Sequence, residues 1–357
     1  MADDDTGTTA AIRGARRLCF FAHYHPHGIA AEHVLLHLAA LAEAGFTVVV
    51  LSTATMPPAE AAKLRAVCAL LIERENRGLD FGGWIEAVAR FFPIEAELLL
   101  FANDSVYAPV GDLPGFIDRL VAVPADFYGA VESLEGAPHL QSWFLLFRPA
   151  AYRSPAFAAL LGTPIPPDMP KAEIIARYEM GLTPALVAAG LRYHAAYSPS
   201  RHGLIAAAAR LNAGQLLWRE LIADGMPFLK IELLRDNPLH VPGLDAWPAA
   251  VGRRAPALVP AIRDDLARRR TAGGVGAPVG PWDTRDQPNP AFWPELQPVM
   301  RRDYLQGGRV RLRHRLNALA WPTLRWLAIL RRDPPWRGSR AALLRRLRAW
   351  AGRGRAG

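Results

Sequence analysis

Residues 97–109 read ELLLFANDSVYAP, in which five apolar residues from Leu98 to Ala102 run straight into Asn103-Asp104-Ser105. A short apolar run bounded by polar residues suits a strand buried on both faces. The chain before it repeats the theme. Arg17-Leu18-Cys19-Phe20-Phe21-Ala22, Thr47-Val48-Val49-Val50-Leu51 and Ala69-Leu70-Leu71-Ile72 are strand-like, while residues 29–44, 58–67 and 85–92 are helical in composition. Gly45 stands where the first of these helices ends. Strands alternating with helices in this way predict an α/β fold, a Rossmann-type and mostly parallel sheet flanked by helices. Farther on, residues 126–132 and 140–147 read as additional strands, and residues 184–189 as a helix closed by Gly190.

The totals bound the class. The chain has 357 residues, half of them apolar and a fifth charged, which describes a globular protein with a sizeable core. Its two cysteines, Cys19 and Cys68, lie in apolar segments and form neither a disulfide framework nor a zinc spacing. Near the start stand Asp3-Asp4-Asp5, without an apolar segment of secretory type, and no window of about 18 apolar residues could span a bilayer. A cytoplasmic placement is the expectation. The net charge of +9 is unevenly spread, because Arg301 to Gly357 holds sixteen arginines against two aspartates. A mildly acidic body therefore carries a strongly basic tail.

Parallel sheets bind ligands at the carboxyl ends of their strands. Three polar clusters fall there: His23-Tyr24-His25-Pro26-His27, Arg74-Glu75-Asn76 and Asn103-Asp104-Ser105. Residues 76–84, NRGLDFGGW, place Gly78, Gly82 and Gly83 around Asp80 at a strand-to-helix turn. Such glycines allow backbone to approach a ligand, and a helix start can offer N–H groups to phosphate. An ordinary glycine-rich turn reads the same way, and no Walker loop is present. Asp104, beside an amide and a hydroxyl, offers the oxygen ligands that Mg²⁺ or Mn²⁺ takes together with substrate phosphates. His23 could lie near a nucleotide or in an incidental polar loop.

Taken in order, N-x-G-x-D-F-G-x-W from Asn76, N-D-S-x-Y-x-P from Asn103 and H-L-Q-S-W-F-L-x-F from His139 resemble the rhamnan synthesis protein F family. The resemblance continues through Arg177 to Thr183, Pro227 to Glu232 and Asn237-Pro238, and covers about residues 17–240. It implies a GT-A-like glycosyltransferase domain that moves a sugar, by family rhamnose, from a nucleotide-sugar donor to a growing cell-surface polysaccharide. It further implies Asp104 as the residue for Mg²⁺ or Mn²⁺ and the donor diphosphate, with Asn103 and Ser105 beside it. Asn76, Gly78, Asp80, Gly82, Gly83 and His23 would contact the nucleotide. GT-A enzymes commonly carry two aspartates at this strand end, whereas here Asp104 is the sole carboxylate of its tripeptide. Glu179, followed by Leu182, Leu186 and Gly190, matches the cadence of a base-bearing segment; Asp126 and Glu132 are the alternatives. Gln141 and Ser142 would line the acceptor side or bond at the edge of the core. A scaffold that kept the fold without catalysis is the rival reading.

The domain expectation is a disordered segment over 1–16, the transferase domain over 17–245, a Pro/Gly-rich linker over 246–300 and a basic helical tail over 301–357. The tail mixes Arg with Leu and Trp at helical spacing, as in RAALLRRLRAW at 340–350. Such segments lie on anionic membranes, where a lipid-linked or polysaccharide acceptor would be at hand. The tail carries no nucleic-acid-binding motif, so no nucleic-acid partner is expected.

Overall fold

The computed structural model describes residues 3–134, 138–198, 212–238, 241–271, 301–302 and 305. Its centre is an eight-stranded sheet. Four parallel strands, β1 (Arg17–His23), β2 (Thr47–Ser52), β3 (Leu70–Glu73) and β4 (Leu98–Asn103), stand in the order β3-β2-β1-β4. The short strand β5 (Val106–Tyr107) leaves the sheet directly after β4. Beyond it come β6 (Phe127–Ser133), β7 (His139–Leu140), β8 (Phe144–Phe147) and β9 (Tyr193–Tyr197). β8 joins β4 and β6 and runs antiparallel to both, whereas β9 lies parallel to β6. The expected mostly parallel sheet is therefore present, with β7 and β8 as its antiparallel members. Since β6 runs in the direction of β4, the carboxyl ends of six strands share one edge.

All six residues of β4 are buried, and their period-2 alternation feeds two cores. The first helices in chain order are α1 (Asp3–Arg13), α2 (Glu32–Glu43), α3 (Pro58–Arg65), α4 (Leu79–Phe91) and α5 (Leu113–Ala122). Leu100 and Ala102 face the layer of α2 and α5, where they join Leu38, Leu41 and Ile117. Leu99 and Phe101 face the opposite layer, packing with Trp84 and Phe91 of α4 (Leu79–Phe91) and with Phe157. Trp84 lies at a 5.1 Å centroid separation on Phe101 and donates its indole N–H to Phe20 O at 3.0 Å. Trp84 and Trp143 are thus core residues. Cys19 is buried in β1 and Cys68 is half-buried; both are free thiols.

Two boundaries differ from expectation. Residues 3–13 form a helix rather than a disordered end, because Ile12 supplies an apolar anchor that is 1% exposed in the α4 layer. The body also extends past residue 245. Helices Trp247–Gly252 and Leu258–Thr271 bury Val251, Leu258, Ile262 and Leu266 in the α2 layer. What read as the first part of a linker is core, since its apolar residues are spaced to line one face. The rest of that segment, and the tail but for three residues, lies outside the described residues.

Candidate functional site

β4 delivers Asn103 to the carboxyl edge, and its neighbours secure the next two residues. Asp104 donates its backbone N–H to Ala22 O at 3.2 Å, and its Oδ2 accepts the Tyr24 N–H at 2.8 Å. Asn103 is 2% exposed; its Nδ2 donates to Asp80 Oδ2 at 2.7 Å, and its Oδ1 accepts from Ser105 N at 3.1 Å. Asp80 comes to this point because the chain turns sharply before α4. Gly78 and Leu79 both hold left-handed φ angles of 72° and 53°. A left-handed leucine is uncommon and costs on the order of 1 kcal/mol or more, held here by its surroundings.

Glu179 approaches from the other side. It closes a five-residue π-helical stretch, Ile175–Glu179, that passes into the helix Met180–Ala188. Such widened turns recur at functional sites because they re-aim one side chain. The preceding Tyr178 is buried with its ring 5.6 Å from Phe81 of α4, which ties this element to Asp80. Glu179 Oε1 accepts from Ser142 Oγ at 2.9 Å and from Ser142 N at 3.3 Å.

The electrostatics follow from this crowding. Burial, then the Asp80 and Asp265 charges, push the Asp104 carboxyl up to about 7, against the Tyr24 hydrogen bond and Arg269. Burial and the Glu179 charge raise Asp80 likewise, while Asn103, Lys171 and Arg74 counter the shift. Asp80, Asp104 and Glu179 therefore form a chain of mutually repelling carboxylates at the strand ends. No group of three His, Cys, Asp or Glu side chains among the described residues is arranged to hold a metal ion by itself. The crowded charge nonetheless fits a divalent cation that uses one or two carboxylates and completes its shell with phosphate oxygens.

The expected residues thus divide. Asp80, Asn103, Asp104, Ser105, Ser142 and Glu179 are brought together. Asp126 is not: it precedes β6 at the opposite edge of the sheet, where its Oδ2 accepts the Arg192 N–H at 2.8 Å. A strand's amino end is the wrong end for this site, which removes Asp126 as a base. His23 is also corrected. It is 2% exposed, its Nδ1 lies 2.9 Å from Ser52 Oγ, and burial lowers its pKa to about 3, so it is a neutral core residue.

Local packing by itself requires a glycine at position 82, where a Cβ would lie 1.9 Å from Arg77 O, whereas a Cβ at Gly83 would make only ordinary contact with Leu51 at 3.5 Å. Gly78 supplies the left-handed turn. Asn76 is exposed and takes no part in the Asn103–Asp80 bond or in the bonds that hold Asp104. The Gln141 amide is used within the core edge, accepting from Trp143 Nε1 at 2.7 Å and donating to Asn212 at 3.1 Å. Sequence reasoning missed the Tyr24 amide and Asp265. A backbone donor leaves no mark in composition, and Asp265 sits in a segment without visible strand–helix alternation.

Comparison with known proteins adds the following. The sequence model of the family described as rhamnan synthesis protein F matches residues 48–243. An uncharacterised protein, y4gN, of Sinorhizobium fredii is 30% identical over 182 residues, covering 49% of this chain and 47% of that protein. The virulence protein VirA of Vibrio anguillarum is 28% identical over 207 residues, covering 50% of this chain and 66% of VirA. The chain thus matches only part of the length of each relative. Among solved structures, the glycosyltransferase GlyE of Streptococcus pneumoniae overlaps 72% of this chain and 64% of its own at 12% identity and a TM-score of 0.37. TarS 1–349 of S. aureus in complex with UDP overlaps 72% and 93% at 13% identity and a TM-score of 0.31. Both superpositions are loose.

Proposed function

The chain belongs to the rhamnan synthesis protein F family, and from that premise we propose that it is a glycosyltransferase of polysaccharide synthesis. The donor would be a nucleotide-sugar, with rhamnose the sugar suggested by the family description. One observation carries the reading: Asp104 with Asn103 and Asp80, and Glu179 with Ser142, meet at the carboxyl ends of the strands.

Asp104, with Asp80 beside it, would hold Mg²⁺ or Mn²⁺, which when bound supplies positive charge to the donor diphosphate. Asn103 fixes Asp80, and the Tyr24 amide fixes Asp104. Glu179 is the base. It takes the proton of an acceptor hydroxyl as that oxygen bonds the anomeric carbon and the nucleoside diphosphate departs with the electrons of the broken bond. Two hydrogen bonds from Ser142, one from its Oγ and one from its backbone N–H, orient the carboxylate. Among the described residues no helix is long and apolar enough to cross a membrane. The arginine-rich tail, outside the described residues, would bring the body to an anionic surface where a lipid-linked acceptor resides.

Thermal-shift titration with nucleoside diphosphates, with and without Mn²⁺, tests the reading, since a ligand of the native state raises the midpoint. A shift that needs both metal and one nucleotide, and is lost in Asp104→Ala, is expected. A folded protein that answers no nucleotide would instead be a scaffold.

A further inference from the structure

Asp265 stands on the helix Leu258–Thr271, beyond the 48–243 region that the family shares, and is 1% exposed. A carboxylate so buried must be compensated. Tyr107 Oη donates to its Oδ2 at 2.7 Å, and Arg269 Nε, one turn along the same helix, lies 2.8 Å from Oδ2 and 3.0 Å from Oδ1. His25 completes the set. Its Nδ1 accepts the His27 N–H at 3.2 Å, which leaves the ring proton on Nε2, 3.4 Å from Asp265 Oδ1. His33 Nδ1 is 4.0 Å from the same oxygen. Burial opposes ionisation, but the nearby His25 and His33 rings and the Arg269 guanidinium outweigh it and hold the Asp265 carboxyl well below its ordinary range.

These partners are not scattered. Tyr107 is three residues after Asp104, on β5, and His25 follows Tyr24, whose N–H is bonded to Asp104 Oδ2. His27 Nε2 and Arg268 O, 3.1 Å apart, add a second tie between that loop and the helix. Gly28 locks the far end of the loop, since a Cβ there would lie 2.0 Å from Thr55 O. We propose that Asp265 is a positioning residue for Asp104, one buried carboxylate that fixes both the segment carrying Asp104 and the loop that hydrogen-bonds it. The proposal rests on the transferase reading for its consequence in rate, but not for its consequence in structure.

The test uses the full chain and two readouts. In Asp265→Asn, hydrogen exchange followed by mass spectrometry should speed up over residues 23–28 and 103–107 together. Transfer should lose about tenfold to a hundredfold in kcat, as expected of a misplaced catalytic group, while the donor KM stays within about threefold. Tyr107→Phe, which keeps the ring and removes one donor, should loosen 103–107 alone with a smaller loss. Wild-type exchange in both segments of folded Asp265→Asn overturns the proposal, as does an equal loss through KM. Should Asp265→Asn not fold, unchanged exchange at 103–107 in Tyr107→Phe overturns it. A wild-type protein that transfers nothing would count against the transferase reading, and the exchange pattern would still decide the role of Asp265.

Discussion

The Tyr24 N–H and Asp104 Oδ2 lie 2.8 Å apart, so the loop after β1 holds the carboxylate at the end of β4 in one orientation. A carboxylate with one oxygen engaged by backbone presents the other in a defined direction. Asp104→Asn should therefore preserve the fold while lowering transfer by about a hundredfold to a thousandfold, the range for removing one preorganised electrostatic group. Steady-state rates and far-UV dichroism, read on the same sample, check both halves. A folded Asn variant with wild-type turnover would remove Asp104 from the site.

Glu179 and Ser142 should separate in magnitude. Glu179→Gln keeps the shape and both Ser142 bonds but cannot accept a proton, so kcat should fall by about a hundredfold to ten-thousandfold. Ser142→Ala removes the hydroxyl bond but keeps the backbone N–H bond to the carboxylate, and should cost roughly tenfold or less. The assay is transfer at saturating donor; equal losses in the two variants would argue that Glu179 is held for structure.

Gly82→Ala distinguishes packing from ligand approach. Alanine is the better helix former, yet its Cβ would lie 1.9 Å from Arg77 O, in backbone that cannot swing aside. Destabilisation of about 1–3 kcal/mol is expected from the forced shift, measured by urea unfolding. Unchanged stability would reopen the idea that this glycine is there for a ligand.

Acid should weaken the fold through histidines. Burial first, then neighbouring positive charges, lowers His23 and His37 from 6.5 to about 3, while burial lowers His33 to about 4 against the opposing Asp265 charge. Between these values and 6.5 the unfolded chain binds protons that the folded chain refuses. Their contribution is therefore complete above about 6.5 and is lost progressively as pH falls toward the folded values. At pH 5 each such histidine costs about 2 kcal/mol relative to the plateau. His37→Gln should flatten the decline in unfolding free energy between about pH 6.5 and 5, and an unaltered slope would rule His37 out as a contributor.

The apolar runs made the parallel half of the sheet legible, since β1, β2 and β4 are buried strands and β3 a partly buried apolar one, all without competing turn signals. Asn103-Asp104 could be placed for the same reason, as the first polar residues after such a run. The boundaries after residue 245 were not legible. Leu258, Ile262 and Leu266 recur every four residues on one helix face, with Val251 on the short helix before it, but prolines and glycines around them carry the pattern of a linker. Asp126 misled because residues at both ends of a strand look alike until the direction of β6 is known. The backbone contact at Gly82 was not legible because close approach to protein backbone and to phosphate demand the same residue.

The burial of Val251, Leu258, Ile262 and Leu266 against the α2 layer sets where this protein can be cut. A truncation placed at residue 245, near the end of the family match, would lay bare apolar surface on α2 and strip His25 and Tyr107 of Asp265. Such a fragment should aggregate, whereas one that runs through Thr271 keeps the lining supplied by these two helices and gives up, of the described residues packed there, only the partly buried Leu305.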